Sequence, residues 1–184
     1  MDKIRLSQTK DDLRRAVERA QAAQALLVTR DEGTKRMMQL VEEFIRSKGL
    51  VCYGGTAINN ILPPKEQFYD SKLDLPDYDF FSPSALEDAK ELADLYLEAG
   101  FQNIEAKAGV HAGTYKVFVN YIPVADITQL PVDLFDTISK EALVRKGIRY
   151  APPEYLQMSM YLELSRPMGD VSRWEKVLHR LSLL

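Results

Sequence analysis

Residues 50–62, LVCYGGTAINNIL, carry a short apolar run straight into two glycines and a threonine, and from there into a helix-like segment. An apolar run bounded by glycine reads as a buried strand. A buried strand that turns through glycine into a helix restricts the chain to folds mixing sheet and helix. The turn itself has two readings. Glycine is what a tight turn needs, but the same seam also presents backbone N–H groups and a helix N-terminus to an anion such as phosphate. Residues further along the chain decide between them.

The chain has room for one sizeable core. It holds 184 residues, of which 46% are hydrophobic, too few for two comfortable domains. A single domain over 1–184 is therefore expected, with N-terminal helices in 1–48, a sheet core in 49–130 and C-terminal helices in 131–184. The formal net charge of −3 provides no global positive field for nucleic acid, so any such contact needs local basic patches. One cysteine, Cys52, excludes an internal disulfide and a cysteine-based metal site, and reads as a small core hydrophobe. No apolar run reaches membrane-spanning length and the N-terminus lacks the apolar centre of a signal peptide, so no membrane role and an intracellular location are expected.

Periodicity predicts a helix over 10–29, with Leu13, Val17, Ala20 and Gln24 at helical spacing, and a second over 32–47 closed by Gly49. The helix opening at Gly55 stops before Pro63-Pro64, and an aperiodic connection over 62–76 follows, long enough to imply a task. DYDFFS (77–82) reads as a strand. Ser84, with Glu87 three residues on, reads as a capping box for a helix ending at Gly100. Three strands are expected in FQNIEAK, TYKVFVN and IPVADITQ, the last two joined in a hairpin at Asn120-Tyr121. Helices are predicted over 131–142, 153–165 and 170–183, with the basic stretch VRKGIRY between the first two. The expected class is α+β, a small mixed sheet flanked by helices.

The chemistry sits in DYDFF. In a strand, Asp77 and Asp79 emerge on one face about 6.6 Å apart along it, while Tyr78 and Phe80 point the other way into the core. Two adjacent carboxylates on an apolar strand are costly unless a cation lies between them. Asp126 in PVADIT repeats the design on another strand. Three aspartates without a histidine or cysteine cluster suit Mg2+ rather than zinc. Two such ions could share the carboxylates and clamp a phosphoryl transfer, and the glycine seam would then hold a nucleotide triphosphate.

This order of motifs resembles the DNA-polymerase-β-like nucleotidyltransferase superfamily. CYGGTAINNILP, LPDYDFFS, HAGTYKVFVN, VADIT and SMYLELSRPMGDVSRWEKV are more closely similar to the poly(A) polymerase catalytic subunits of large nucleocytoplasmic DNA viruses, over most of 35–184. The gap between Gly55 and Asp77 is longer than the superfamily pattern, so 62–76 is read as a branch-specific insertion. The chain is also shorter than those viral enzymes, as though it were the N-terminal part of a longer one.

The resemblance implies a polymerase-β-like fold and transfer of AMP from ATP to an RNA 3′ end with release of pyrophosphate. It implies Mg2+, with Mn2+ as a substitute, held by Asp77, Asp79 and Asp126, the last also accepting the proton of the 3′-hydroxyl. It implies the backbone N–H groups of Gly54, Gly55 and Thr56, together with the Thr56 hydroxyl, on the β- and γ-phosphates, a homodimer or second polymerase subunit as partner, and a cytoplasmic, viral-factory or virion location.

Each motif has a plainer reading. A Gly-Gly pair alone is usually a turn and an Asp-x-Asp alone a solvated face; only their joint order raises them to a site. Asn59 either reaches the nucleotide sugar or caps a buried backbone group. Lys116 either faces the phosphates or is solvated. Arg145, Lys146 and Arg149 suit an RNA backbone or a surface loop. Arg166, Arg173 and Lys176 are phosphate contacts or salt-bridged helix residues, with Arg173 read as structural and Lys176 kept as a nucleotide contact. His111 reads as structural. Two rival functions remain: a transferase adding single nucleotides to a tRNA or protein hydroxyl, and a non-catalytic binding or assembly module of the same fold.

Overall fold

Side-chain alternation along the strands decides which way the sheet faces. The computed structural model describes the backbone of residues 2–70 and 74–184; residues 71–73 of the long connection and the side chains of 2–9, 22, 25–27 and 29–30 lie outside the description. Two compact units emerge: Met1–Arg36 with Tyr69–Leu75, and Met37–Phe68 with Pro76–Leu184.

The first unit holds α1 (Asp2–Arg30) and the start of α2 (Glu32–Lys48). The stripe expected on the first helix does not form a core, since Leu13 and Val17 are 60% and 54% exposed. Asp31 caps α2, its Oδ2 accepting the Thr34 backbone N–H at 2.7 Å and the Thr34 hydroxyl at 3.1 Å.

In the second unit, α2 continues with Met37, Met38, Val41, Phe44 and Ile45 buried at helical spacing. It ends as the sequence predicts. Gly49 adopts φ +63°, and the N–H groups of Gly49 and Leu50 return to the carbonyls of Arg46 and Ile45 at 3.2 and 3.0 Å, a left-handed cap that a side-chain-bearing residue resists.

One mixed sheet follows: β1 (Val51–Tyr53), β2 (Tyr78–Ser82), β3 (Ile104–Ala108), β4 (Thr114–Val119), β5 (Ile122–Gln129), β6 (Leu143–Arg145) and β7 (Ile148–Tyr150). The strand order is β3-β4-β5-β2-β1-β7-β6. β2 lies parallel to β5 and β1 parallel to β7; the other neighbours are antiparallel. Register places Cys52, Phe80, Ile127, Ala125, Val117 and Tyr150 on one face, all of them buried. This face packs under α2 and under α4 (Ala85–Glu98), with Phe44 and Phe80 ring centroids 6.4 Å apart. The buried Tyr96 of α4 donates its hydroxyl to the Met37 carbonyl at 2.8 Å, and Tyr78 donates to Glu42 at 2.6 Å. Burying each large side chain here stabilises by roughly 1.5–3 kcal/mol.

Several expectations are corrected. VRKGIRY is a β-hairpin, not a loop between helices. β6 and β7 turn at Lys146 and Gly147, both left-handed, and β7 extends the sheet beyond β1. Ser84 makes no side-chain cap; Gln129 Oε1 accepts the Ala85 N–H instead at 2.8 Å. The strand expected from 77 begins at Tyr78, because the Asp77 carbonyl accepts the Thr56 hydroxyl at 2.8 Å rather than a sheet partner. The hairpin at Asn120-Tyr121 forms as expected, both residues at positive φ.

The remaining helices are α3 (Gly54–Ile61), α5 (Val132–Glu141), α6 (Pro153–Leu164) and α7 (Trp174–Leu181). The single helix expected over 170–183 is a 3-10 turn at Val171–Arg173 leading into α7, with Asp170 accepting the Ser172 N–H at 3.0 Å. No helix of the described residues is long and apolar enough to cross a membrane.

Candidate active site

The face opposite the core carries the polar residues. Register sets one row across four strands: Lys116 on β4, Asp126 on β5, Asp79 on β2 and Tyr53 on β1. A second row holds Thr114, Thr128 and Phe81. The parallel pairing of β2 with β5 therefore places Asp79 and Asp126 side by side. Asp77 stands just outside the end of β2, two residues from Asp79 and in the same phase of the alternation.

The glycine seam closes on these acids. Gly54 has φ +71°, and a Cβ built there would lie 3.0 Å from Asp79 Cγ and 3.2 Å from its Cβ, in collision with the carboxylate. Only glycine lets the start of α3 approach Asp79 this closely. The buried Thr56 then ties α3 to the segment before β2 through the Asp77 carbonyl.

The carboxylates feel one another. Burial, then Asp77 and Asp126, push Asp79 up to about 7, against the pull of Lys116 and Arg180. Burial and then Asp126 raise Asp77, opposed by Lys116 and Lys176. Lys116 forms an ion pair with Asp126 Oδ2, while Asp126 Oδ1 is buried without a hydrogen-bond partner. Among the described residues, no three acidic, histidine or cysteine groups close on one point as a ready-made cage. The donor set nevertheless fits a hard divalent cation, because it is all oxygen, mutually repelling, and includes one orphaned buried oxygen.

Other expected contacts are differently engaged. Asn59 Oδ1 accepts the Phe68 N–H at 2.8 Å, which favours its backbone-capping reading. The Thr56 hydroxyl, expected on the phosphates, donates instead to the Asp77 carbonyl at 2.8 Å. Lys176 on α7 lies within electrostatic reach of Asp79 and Asp77, and its pKa is lowered chiefly by Arg180 one turn on. Arg173 pairs with Glu163 at 2.8 Å, as its structural reading expects. Arg149 donates to the Gly49 carbonyl at 3.0 Å and to Ser139 at 3.1 Å, tying β7 to the end of α2.

Two neighbours of the acids escaped the sequence reading. Tyr53 stacks on Phe81, centroids 4.0 Å apart, and its hydroxyl meets Thr128 Oγ1 at 2.8 Å. Arg180 reaches Asp79 electrostatically and lies 5.4 Å from the Phe68 ring. Its i,i+4 spacing from Lys176 was the available signal.

A family profile described as the poly(A) polymerase catalytic subunit matches residues 39–170. The chain belongs to the poly(A) polymerase catalytic subunit family. The matched span contains the glycine seam and all three aspartates of this family member; Lys176 and Arg180 lie outside it. It is similar to a candidate poly(A) polymerase catalytic subunit of African swine fever virus (isolate Pig/Kenya/KEN-50/1950), 36% identical over 153 residues, 80% of this chain and 32% of that protein. A counterpart from Acanthamoeba polyphaga mimivirus is 30% identical over 151 residues, 80% of this chain and 25% of that protein. The crystal structure of the Megavirus polyadenylate synthase superposes with a TM-score of 0.84 at 29% identity, covering 100% of this chain and 37% of that one. The fold is therefore the nucleotidyltransferase fold expected, and the chain spans between 25% and 37% of the length of these relatives.

Proposed function

We propose that this chain is the nucleotidyltransferase portion of a polynucleotide adenylyltransferase, joining AMP from ATP to an RNA 3′-hydroxyl. The observation that carries the reading is the placement of Asp79 and Asp126 in register on parallel strands, with the glycine seam closed onto Asp79. Family membership supports the chemistry, and the named polyadenylate synthase of the same fold supports the nucleotide and acceptor.

In this reading the backbone N–H groups of Gly54, Gly55 and Thr56, at the start of α3, hold the β- and γ-phosphates. Lys176 approaches the same phosphates from α7. Asp77, Asp79 and Asp126 hold divalent cations, Mg2+ or Mn2+, which when bound neutralise the triphosphate and lower the cost of ionising the 3′-hydroxyl. Asp126 accepts the hydroxyl proton. The 3′-oxygen forms its bond to the α-phosphorus as the bridging bond to the β-phosphate breaks, and pyrophosphate departs. Positioning and electrostatics supply the acceleration. A homodimer or second polymerase subunit and a cytoplasmic viral setting belong to the same proposal.

The test is incubation of the chain with an RNA primer, Mg2+ or Mn2+, and each labelled NTP separately. A ladder formed with ATP and not with the other three supports the reading. A single addition, labelling of protein instead of RNA, or no incorporation overturns it.

A further inference from the structure

Lys116 is directly opposite Asp126 in the β4–β5 register and pairs with Asp126 Oδ2. On the other side of Asp126, in register, stands Asp79. The Asp126 side chain is 15% exposed and its Oδ1 is buried without a partner, while the Lys116 side chain is 34% exposed. A half-buried carboxylate beside a second carboxylate is costly without a counter-charge. Lys116 supplies that charge from the adjacent strand.

We propose that Lys116 is a built-in placeholder cation, which neutralises Asp126 in the cation-free enzyme and is displaced when a divalent ion takes that carboxylate. This rests on the proposed reading of Asp126 as a cation ligand. Lysine suits the task better than arginine. Its ammonium is a point charge on a flexible stem, so it engages one oxygen, leaves Oδ1 open and withdraws toward solvent; a guanidinium fork engages both oxygens and holds on. A plain cross-strand pair would add stability without competing for an ion, and this difference makes the two roles separable.

The experiment is a Mn2+ titration of the cation-free protein, followed by electron paramagnetic resonance of free Mn2+, on the wild type, Lys116→Gln and Lys116→Arg, with thermal melting in parallel. Displacement predicts that Lys116→Gln binds Mn2+ about tenfold or more tightly than wild type, the effect of removing one charge at contact distance from a carboxylate. It also melts lower without metal and gains more on adding Mn2+. Lys116→Arg binds Mn2+ more weakly than wild type. Affinity for Lys116→Gln within twofold of wild type, or weaker, overturns the placeholder role while leaving the catalytic reading standing. A wild type that binds no Mn2+ overturns both. Should Lys116→Gln fail to fold without metal, the comparison of Lys116→Arg with wild type decides, and equal or tighter binding by the arginine variant overturns the proposal.

Discussion

Gly54 and Asp79 occupy each other's space: a β-carbon on Gly54 would collide with the Asp79 carboxylate, and the glycine is held at φ +71°. The turn chemistry and the site chemistry are thus one constraint: the left-handed glycine between strand and helix is also what admits the Asp79 carboxylate.

Gly54→Ala is expected to lose about 1–3 kcal/mol of stability, from the left-handed backbone and from displacement of Asp79. Urea denaturation measures this loss, and primer extension should fall with it. A variant as stable and active as wild type would contradict the close approach.

Asp77→Ala and Asp79→Ala each remove a repelling charge as well as a proposed cation ligand. Nucleotide transfer is expected to disappear while the cation-free melting temperature holds or rises. Melting curves recorded in EDTA beside primer-extension gels check the pair of outcomes, and normal transfer by either variant would remove the carboxylates from the mechanism.

Asp79 makes the cation-free protein pH-sensitive. Its folded pKa of about 7 lies above the ordinary carboxylate value, so between roughly pH 4 and 7 the folded state binds more protons than the unfolded one. Stability is full below that window and falls as pH rises through it, by on the order of 2–4 kcal/mol at most. Denaturant titrations at half-unit pH steps in EDTA should show this slope, and Asp79→Asn should flatten it.

Lys176→Met removes a proposed phosphate contact from an exposed position of α7 while leaving the buried Val177 anchor in place. The KM for ATP is expected to rise about tenfold, the equivalent of one charge-assisted hydrogen bond, with kcat changed less. Steady-state extension kinetics separate the two, and an unchanged KM assigns Lys176 to the surface.

Tyr53→Phe keeps the stack on Phe81 and deletes the hydroxyl that meets Thr128. A cost of about 1 kcal/mol is expected, read from the shift in urea midpoint.

Sequence by itself determined the features that depend on neighbours along the chain. Alternation in DYDFF separated Asp79 from Tyr78 and Phe80, and Gly49 and Asn120-Tyr121 marked their turns, because side-chain direction and left-handed backbone are local properties. Tertiary structure alone decided what crosses between elements. Three-residue strands such as Leu143–Arg145 and Ile148–Tyr150 are too short to show a period, and became strands only because β1 offered an open edge to β7. Gln129 displaced Ser84 as the cap of α4, Thr56 turned its hydroxyl to Asp77, and Lys116 met Asp126. These pairings are set by strand register and packing between distant segments, which residue order on one strand does not encode.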